Sequence, residues 1–148
     1  MKHINQKDYF NDNIEILEKQ IEEYNVYFNK VIKNCLPKQF IDSYLKYNGF
    51  HDFEIISLNS NTSTRKETYS NIIITLYNNV DDKTIKIVYN SVIKFQNDFN
   101  KNHFEQWSYD DYGIDEFIKL DNGFYSHEVY FPSESYYYVE FKEIEIID

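Results

Sequence analysis

Cysteine is almost missing from this 148-residue chain. Cys35 stands alone, so no intramolecular disulfide can form and a reducing compartment, the cytoplasm, is expected. Arginine is equally scarce, with Arg65 the single example against fourteen lysines. Asn and Ile are frequent, and together these biases read as the coding habit of an AT-rich genome. Positive charge is in deficit overall, 15 basic side chains against 25 acidic ones, for a formal net charge of −10. That deficit argues against nucleic acid, whose phosphates need a basic face, and against an anionic membrane surface. Only three glycines and two prolines occur, which speaks against disorder and low complexity. No apolar run approaches the length of a membrane span. The stretch Met1 to Asn13 has no apolar signal core and no cleavage pattern, so secretion is not expected.

Aromatic residues are abundant, with 15 Tyr and 12 Phe, and they supply large buried areas. A chain of this length buries roughly 70% of its unfolded surface as one domain. One domain over residues 1–148 is therefore expected, helical over 1–48 and antiparallel β over 49–148.

The helical part opens on one apolar stripe. Phe10, Ile14, Leu17, Ile21, Tyr24, Phe28, Val31 and Cys35 recur at steps of four and three, the spacing that lines one helix face. Asp8 or Asp12 is placed to cap its start, and Pro37 ends it. The stripe either packs on a sheet or pairs two copies of the chain into a homo-oligomer. A shorter helix is expected from Pro37 to about Tyr47, burying Phe40, Ile41, Tyr44 and Leu45, with Asn48-Gly49 as a left-handed stop.

Strand patterns follow. Phe53–Leu58 and Ile72–Tyr77 flank a polar loop, Asn59–Ser70. In Thr84–Phe95, the residues Ile85, Ile87, Tyr89, Ile93 and Phe95 share one side. Asp121-Asn122-Gly123 marks a hairpin between Phe117–Leu120 and Phe124–Phe131. Pro132-Ser133-Glu134 turns into a last strand, Tyr136–Ile147. Its apolar parity breaks between Val139/Phe141 and Ile144/Ile146, which predicts a bulge near Lys142-Glu143. The expected architecture is α+β, with a long N-terminal helix and a short helix packed on a curled or barrel-like antiparallel sheet of about six strands.

Chemistry-bearing residues fall into two groups. Trp107, Tyr109, Asp110, Asp111, Tyr112, Asp115 and Glu116 form the densest acidic segment, and it carries aromatics. Such a surface suits docking a basic protein, with the aromatics as anchors; the plainer reading is a solvated loop whose Trp107 plugs the sheet. His51-Asp52 and His127-Glu128 are the histidine–carboxylate pairs. In a pocket between helix and sheet they would serve a small-ligand or metal-binding domain or an enzyme. Against this, adjacent strand residues point to opposite faces, and both histidines have a structural alternative, His51 packing with Phe53 and Ile55 and His127 inside the sheet. Asp52 would then accept backbone hydrogen bonds at the corner. No nucleophile elbow, phosphate loop or calcium-loop spacing is present. No cofactor or bound metal is expected, and the reading leans away from an enzyme.

The stretch Leu36-Pro37 through Gly49-Phe50-His51-Asp52-Phe53-Glu54-Ile55 resembles a set of small, largely uncharacterised bacterial families with a Leu-His-Asp tripeptide opening a strand. The likeness runs on through Lys86–Phe95, Trp107–Asp110 and Val139–Ile146, so it covers residues 36–148 and omits the first helix. Phe50 stands where Leu is usual, and Phe53 where a small residue is usual. Some relatives of those families resemble immunity proteins of polymorphic toxin systems. The resemblance implies an immunity protein; together with the charge of −10, the aromatic-acidic segment and the missing catalytic motifs, the expectation is a non-enzymatic protein-binding module that occludes a basic partner.

Overall fold

The computed structural model describes residues 1–5, 7–8, 13–62, 70–98 and 112–148. Helix α1 (Ile14–Lys30) leads through a 3-10 turn (Ile32–Asn34) to helix α2 (Lys38–Lys46) and a second 3-10 turn (Asn48–Phe50). The strands are β1 (Glu54–Thr62), β2 (Ser70–Asn78), β3 (Lys83–Val92), β4 (Lys94–Asp98), β5 (Ile114–Lys119), β6 (Tyr125–Tyr130), β7 (Tyr136–Phe141) and β8 (Glu143–Ile147). The α+β class holds, and each strand pairing is antiparallel. No helix among the described residues is long and apolar enough to cross a membrane.

The sheet differs from a six-stranded barrel-like one. Eight described strands form two four-stranded sheets, ordered β1-β2-β3-β8 and β4-β7-β6-β5, with no closure between β1 and β5. The physical reason is a shared corner. The run Lys83–Asp98 bends at Ile93, the run Tyr136–Ile147 bends at Lys142, and each passes from one sheet to the other. Backbone bonds from Ile93 N–H to Glu140 and from Lys142 N–H to Asn90 pin the two bends together. The parity break in the last strand is this change of sheet: Val139 and Phe141 are buried in one, Ile144 and Ile146 in the other. On β3 the alternation holds through Tyr89, then an extra residue opposite Ser70–Ile72 shifts it. Ser91 takes φ +52°, and Val92 is buried in place of Ile93, which is exposed.

Helix α1 spends its stripe on the chain's own core. Tyr24 and Phe28 are buried, Leu17 and Ile21 pack against the same cluster, and Ile14 is exposed. The helix ends at Lys30, so the next buried residue is Ile32 rather than Val31. Asn13 precedes α1 without a side-chain cap; Asp8 instead accepts from Gln20 Nε2 at 2.8 Å, and Phe10 and Asp12 lie outside the described residues. Two tyrosines of α1 close the open edge of the second sheet. Phe117 N–H donates to Tyr24 Oη at 2.6 Å and Lys119 N–H to Tyr27 Oη at 3.0 Å. Strand edges left bare would recruit other chains.

On α2, Phe40, Ile41 and Tyr44 are buried and Leu45 is exposed. Asn48, Gly49 and Phe50 all take positive φ, 48°, 66° and 65°, which turns the chain sharply toward β1. A Cβ on Gly49 would stand 3.3 Å from Tyr44 Oη, so glycine there lets that hydroxyl reach the site below. The stretch expected as a polar loop, Asn59–Ser70, is strand at both ends, with β1 and β2 paired out to Thr62↔Ser70; residues 63–69 lie outside the described residues. The Asp121-Asn122-Gly123 hairpin forms, with Gly123 at φ +81° and Leu120 N–H bonded to Phe124 O.

Candidate functional site

The register of β5 on β6 sets Phe117 opposite His127 and Glu116 opposite Glu128. Strand alternation then sends Asp115, Phe117, His127 and Val129 inward and Glu116 and Glu128 outward. Tyr137 of β7 and Tyr89 of β3 face the same interior, and all of these inward side chains are buried.

His127 is fully buried, stacked on the Phe117 ring at 3.7 Å between centroids. Its Nε2 lies 2.9 Å from Asp115 Oδ2 and its Nδ1 2.6 Å from Tyr89 Oη. Tyr44 Oη donates to Asp115 Oδ1 at 2.7 Å. Tyr137 Oη is 3.1 Å from both Tyr89 Oη and Tyr112 Oη. One proton pattern satisfies the set. As a carboxylate, Asp115 only accepts, so Nε2 carries the imidazole proton and Nδ1 accepts from Tyr89. Tyr137 then donates to Tyr89 and Tyr112 to Tyr137. The loop closes where Tyr112 Oη stands 3.2 Å from Nε2.

Burial is the largest influence on the His127 pKa and lowers it, against the opposing pull of Asp115. Burial likewise raises Tyr44, Tyr89, Tyr112 and Tyr137, keeping them protonated donors. The linkage sign follows. In the unfolded chain His127 titrates near about 6.5, and in the folded chain lower, so acidification protonates the unfolded state first. Its contribution is complete above about pH 6.5 and is lost as pH falls through the lowered folded value. The urea midpoint is expected to drop on acidification from about pH 7, and the slope to flatten in His127→Gln. An equal slope in both proteins would contradict this.

Chemically, the cluster resembles a histidine–carboxylate dyad without its third member. A general base needs a ring nitrogen facing the proton it removes, and both nitrogens here are engaged inside the protein. A cleft of about 670 Å³ does open beside it, between α1, the Gly49 turn and the start of β5. Asp115, Tyr44, Tyr112 and His51 line it. His127 lies behind Asp115.

Several expectations are corrected by this geometry. Tyr112, Asp115 and Glu116 do not stand on an outer docking surface; all three are buried. Asp115 is held by His127 and Tyr44. Glu116 points outward but is covered by the first residues, its two oxygens accepting the N–H groups of Lys2, His3 and Ile4 at 2.7–3.1 Å. Trp107, Tyr109, Asp110 and Asp111 lie outside the described residues. His51 and Asp52 are both exposed in the turn before β1. His51 therefore does not pack with Phe53 and Ile55, which are buried. His127 takes Asp115 as its acid, while Glu128 faces the other side of the sheet. Among the described residues no group of three or more His, Cys, Asp or Glu is placed to hold a metal ion.

Tyr44, Tyr89 and Tyr137 of the cluster are absent from the sequence-based candidates. Tyr44 and Tyr89 fall on apolar faces and Tyr137 shares the parity of Val139 and Phe141; a buried phenol needs a hydrogen-bond partner, and that was the available signal. The outward face of the second sheet was also missed. There Tyr130 Oη donates to Glu128 at 2.8 Å, Tyr138 Oη donates to Glu140 at 2.6 Å, and the α-ammonium of Met1 lies 2.7 Å from Glu128. Comparison of the chain with protein-family models, with curated proteins and with solved structures finds no match to any of the three.

Proposed function

We propose that this chain is a non-enzymatic protein-binding module, an immunity-like inhibitor that occludes a basic partner. The observation that carries the reading is the division between inside and outside. The histidine–aspartate pair is consumed by the core, whereas the outward face of the second sheet carries Tyr136, Tyr138, Glu128 and Glu140 beside Lys94 and Gln96. A net charge of −10 steers a basic protein toward such a face. Further carboxylates of α1, Glu15, Glu18, Glu22 and Glu23, are exposed, and Asp110 and Asp111 contribute to the net negative charge of the chain. The family resemblance points the same way.

The test is capture on the tagged chain from source cells expressing the neighbouring gene products, followed by kinetics on the purified pair. A basic protein should be recovered in stoichiometric amount, associating more slowly as salt is raised. Asp110→Lys combined with Asp111→Lys should slow association by roughly tenfold and weaken the salt dependence. Recovery of no partner, or association indifferent to salt, would contradict the proposal.

A further inference from the structure

The outward face of the second sheet has a groove of about 370 Å³ lined by Lys94, Gln96, Glu128, Tyr130, Tyr136 and Tyr138. We infer that this groove receives a cationic side chain, an arginine or lysine of the partner protein. The inference rests on the basic-partner reading and assigns it a place.

Three strands build the groove in register. Gln96 and Glu128 flank Tyr138 from opposite sides, and Tyr130 sits opposite Tyr136. The Tyr130 and Tyr136 rings meet edge to face at 6.0 Å. Tyr136 and Tyr138 are two residues apart on one strand, about 6.6 Å along it, which leaves room for one planar or slender group between them. Aromatic faces attract cations through the ring quadrupole, and Glu128 supplies the carboxylate. This chain's own cations already use both elements: Lys94 Nζ lies 5.3 Å over the Tyr138 ring, and the Met1 ammonium pairs with Glu128. An incoming guanidinium offers both contacts from one group, its plane to the rings and one N–H to Glu128 Oε2 in place of the Met1 ammonium, while Oε1 keeps the Tyr130 hydroxyl. Lys94 is then a competitor for the Tyr138 face.

The probe is an acetylated, amidated peptide alternating Arg and Gly, with a Gln-for-Arg peptide as control, titrated into the full chain with labelled tyrosine rings and backbone amides. Ring signals of Tyr136 and Tyr138 and amides of β4, β6 and β7 should move with the Arg peptide alone. Tyr138→Leu and Glu128→Gln should each weaken binding about threefold to fivefold. Lys94→Gln, a surface change that leaves the core intact, should strengthen it about threefold by removing the competitor. Binding that moves signals elsewhere and is unaltered by all three variants overturns the groove while leaving the basic-partner reading standing. Absence of any Arg-specific shift overturns both.

Discussion

Replacing Asp115 with alanine is expected to cost about 3–5 kcal/mol of folding stability, measured as the loss in urea-unfolding free energy at neutral pH. Two buried donors lose their acceptor at once: His127 Nε2–H and Tyr44 O–H. His127 is 0% exposed, so water does not reach its Nε2–H without opening the core, whereas Tyr44 lines the cleft and its hydroxyl meets solvent there. Asp115→Asn should fall between, because its amide oxygen satisfies one donor while its NH₂ confronts the other. Tyr44→Phe removes one of the stranded groups, so the double variant Tyr44→Phe/Asp115→Ala should cost less than the sum of its parts. Strict additivity would mean that the hydroxyl and carboxylate are not coupled. A cost below about 1 kcal/mol, the range of exposed surface pairs, would mean that Asp115 is solvated.

Glu116→Gln should have the next largest effect, about 2–4 kcal/mol, and should act locally as well as globally. The Glu116 carboxylate accepts from three successive backbone N–H groups, those of Lys2, His3 and Ile4. Glutamine keeps the shape but turns one acceptor into a donor facing other donors. The first residues should detach, taking Ile4 out of the core, where it is 2% exposed. Amide hydrogen exchange at Lys2–Ile4 should accelerate well before global unfolding. Unchanged protection at those amides would show that packing of Ile4, rather than Glu116, holds the segment.

Asp115 and Glu116 lie in the densest acidic segment of the chain, and sequence alone places both outside. Local patterns were legible. The α1 stripe, the left-handed stop at Asn48-Gly49 and the Asp121-Asn122-Gly123 hairpin each follow from spacing or backbone preference within a few residues. The parity break before Ile144 was legible as an irregularity too. Its meaning was not, because a bulge and a corner between sheets leave the same two-residue signature. The acidity of their sequence neighbours makes Asp115 and Glu116 look like part of a surface. Their partners are remote: Tyr44 is 71 residues from Asp115, and Lys2, His3 and Ile4 are more than a hundred from Glu116. A carboxylate's burial is decided by such partners and not by its neighbours in the chain. The inward direction of His127, by contrast, followed from the parity it shares with Val129 and Phe131.

The division of roles also makes sense energetically. A buried ring of tyrosines around one imidazole and one carboxylate is costly when incomplete and rigid when complete. It joins α2, both sheets and Tyr112 just before β5, and so fixes the strands that carry Glu128, Tyr136 and Tyr138, with Tyr130 buried beneath them. Rigid strand positions are what a recognition face requires.

The protonation state of His127 bears most directly on that division. Long-range proton–nitrogen spectra of the imidazole should show a neutral ring carrying its proton on Nε2, with Nδ1 in a strong hydrogen bond, unchanged as pH is lowered past about 6.5, the ordinary histidine value. A ring that titrates at that ordinary value, with a proton exchanging freely with solvent, would mean that the imidazole faces the cleft and is available for chemistry.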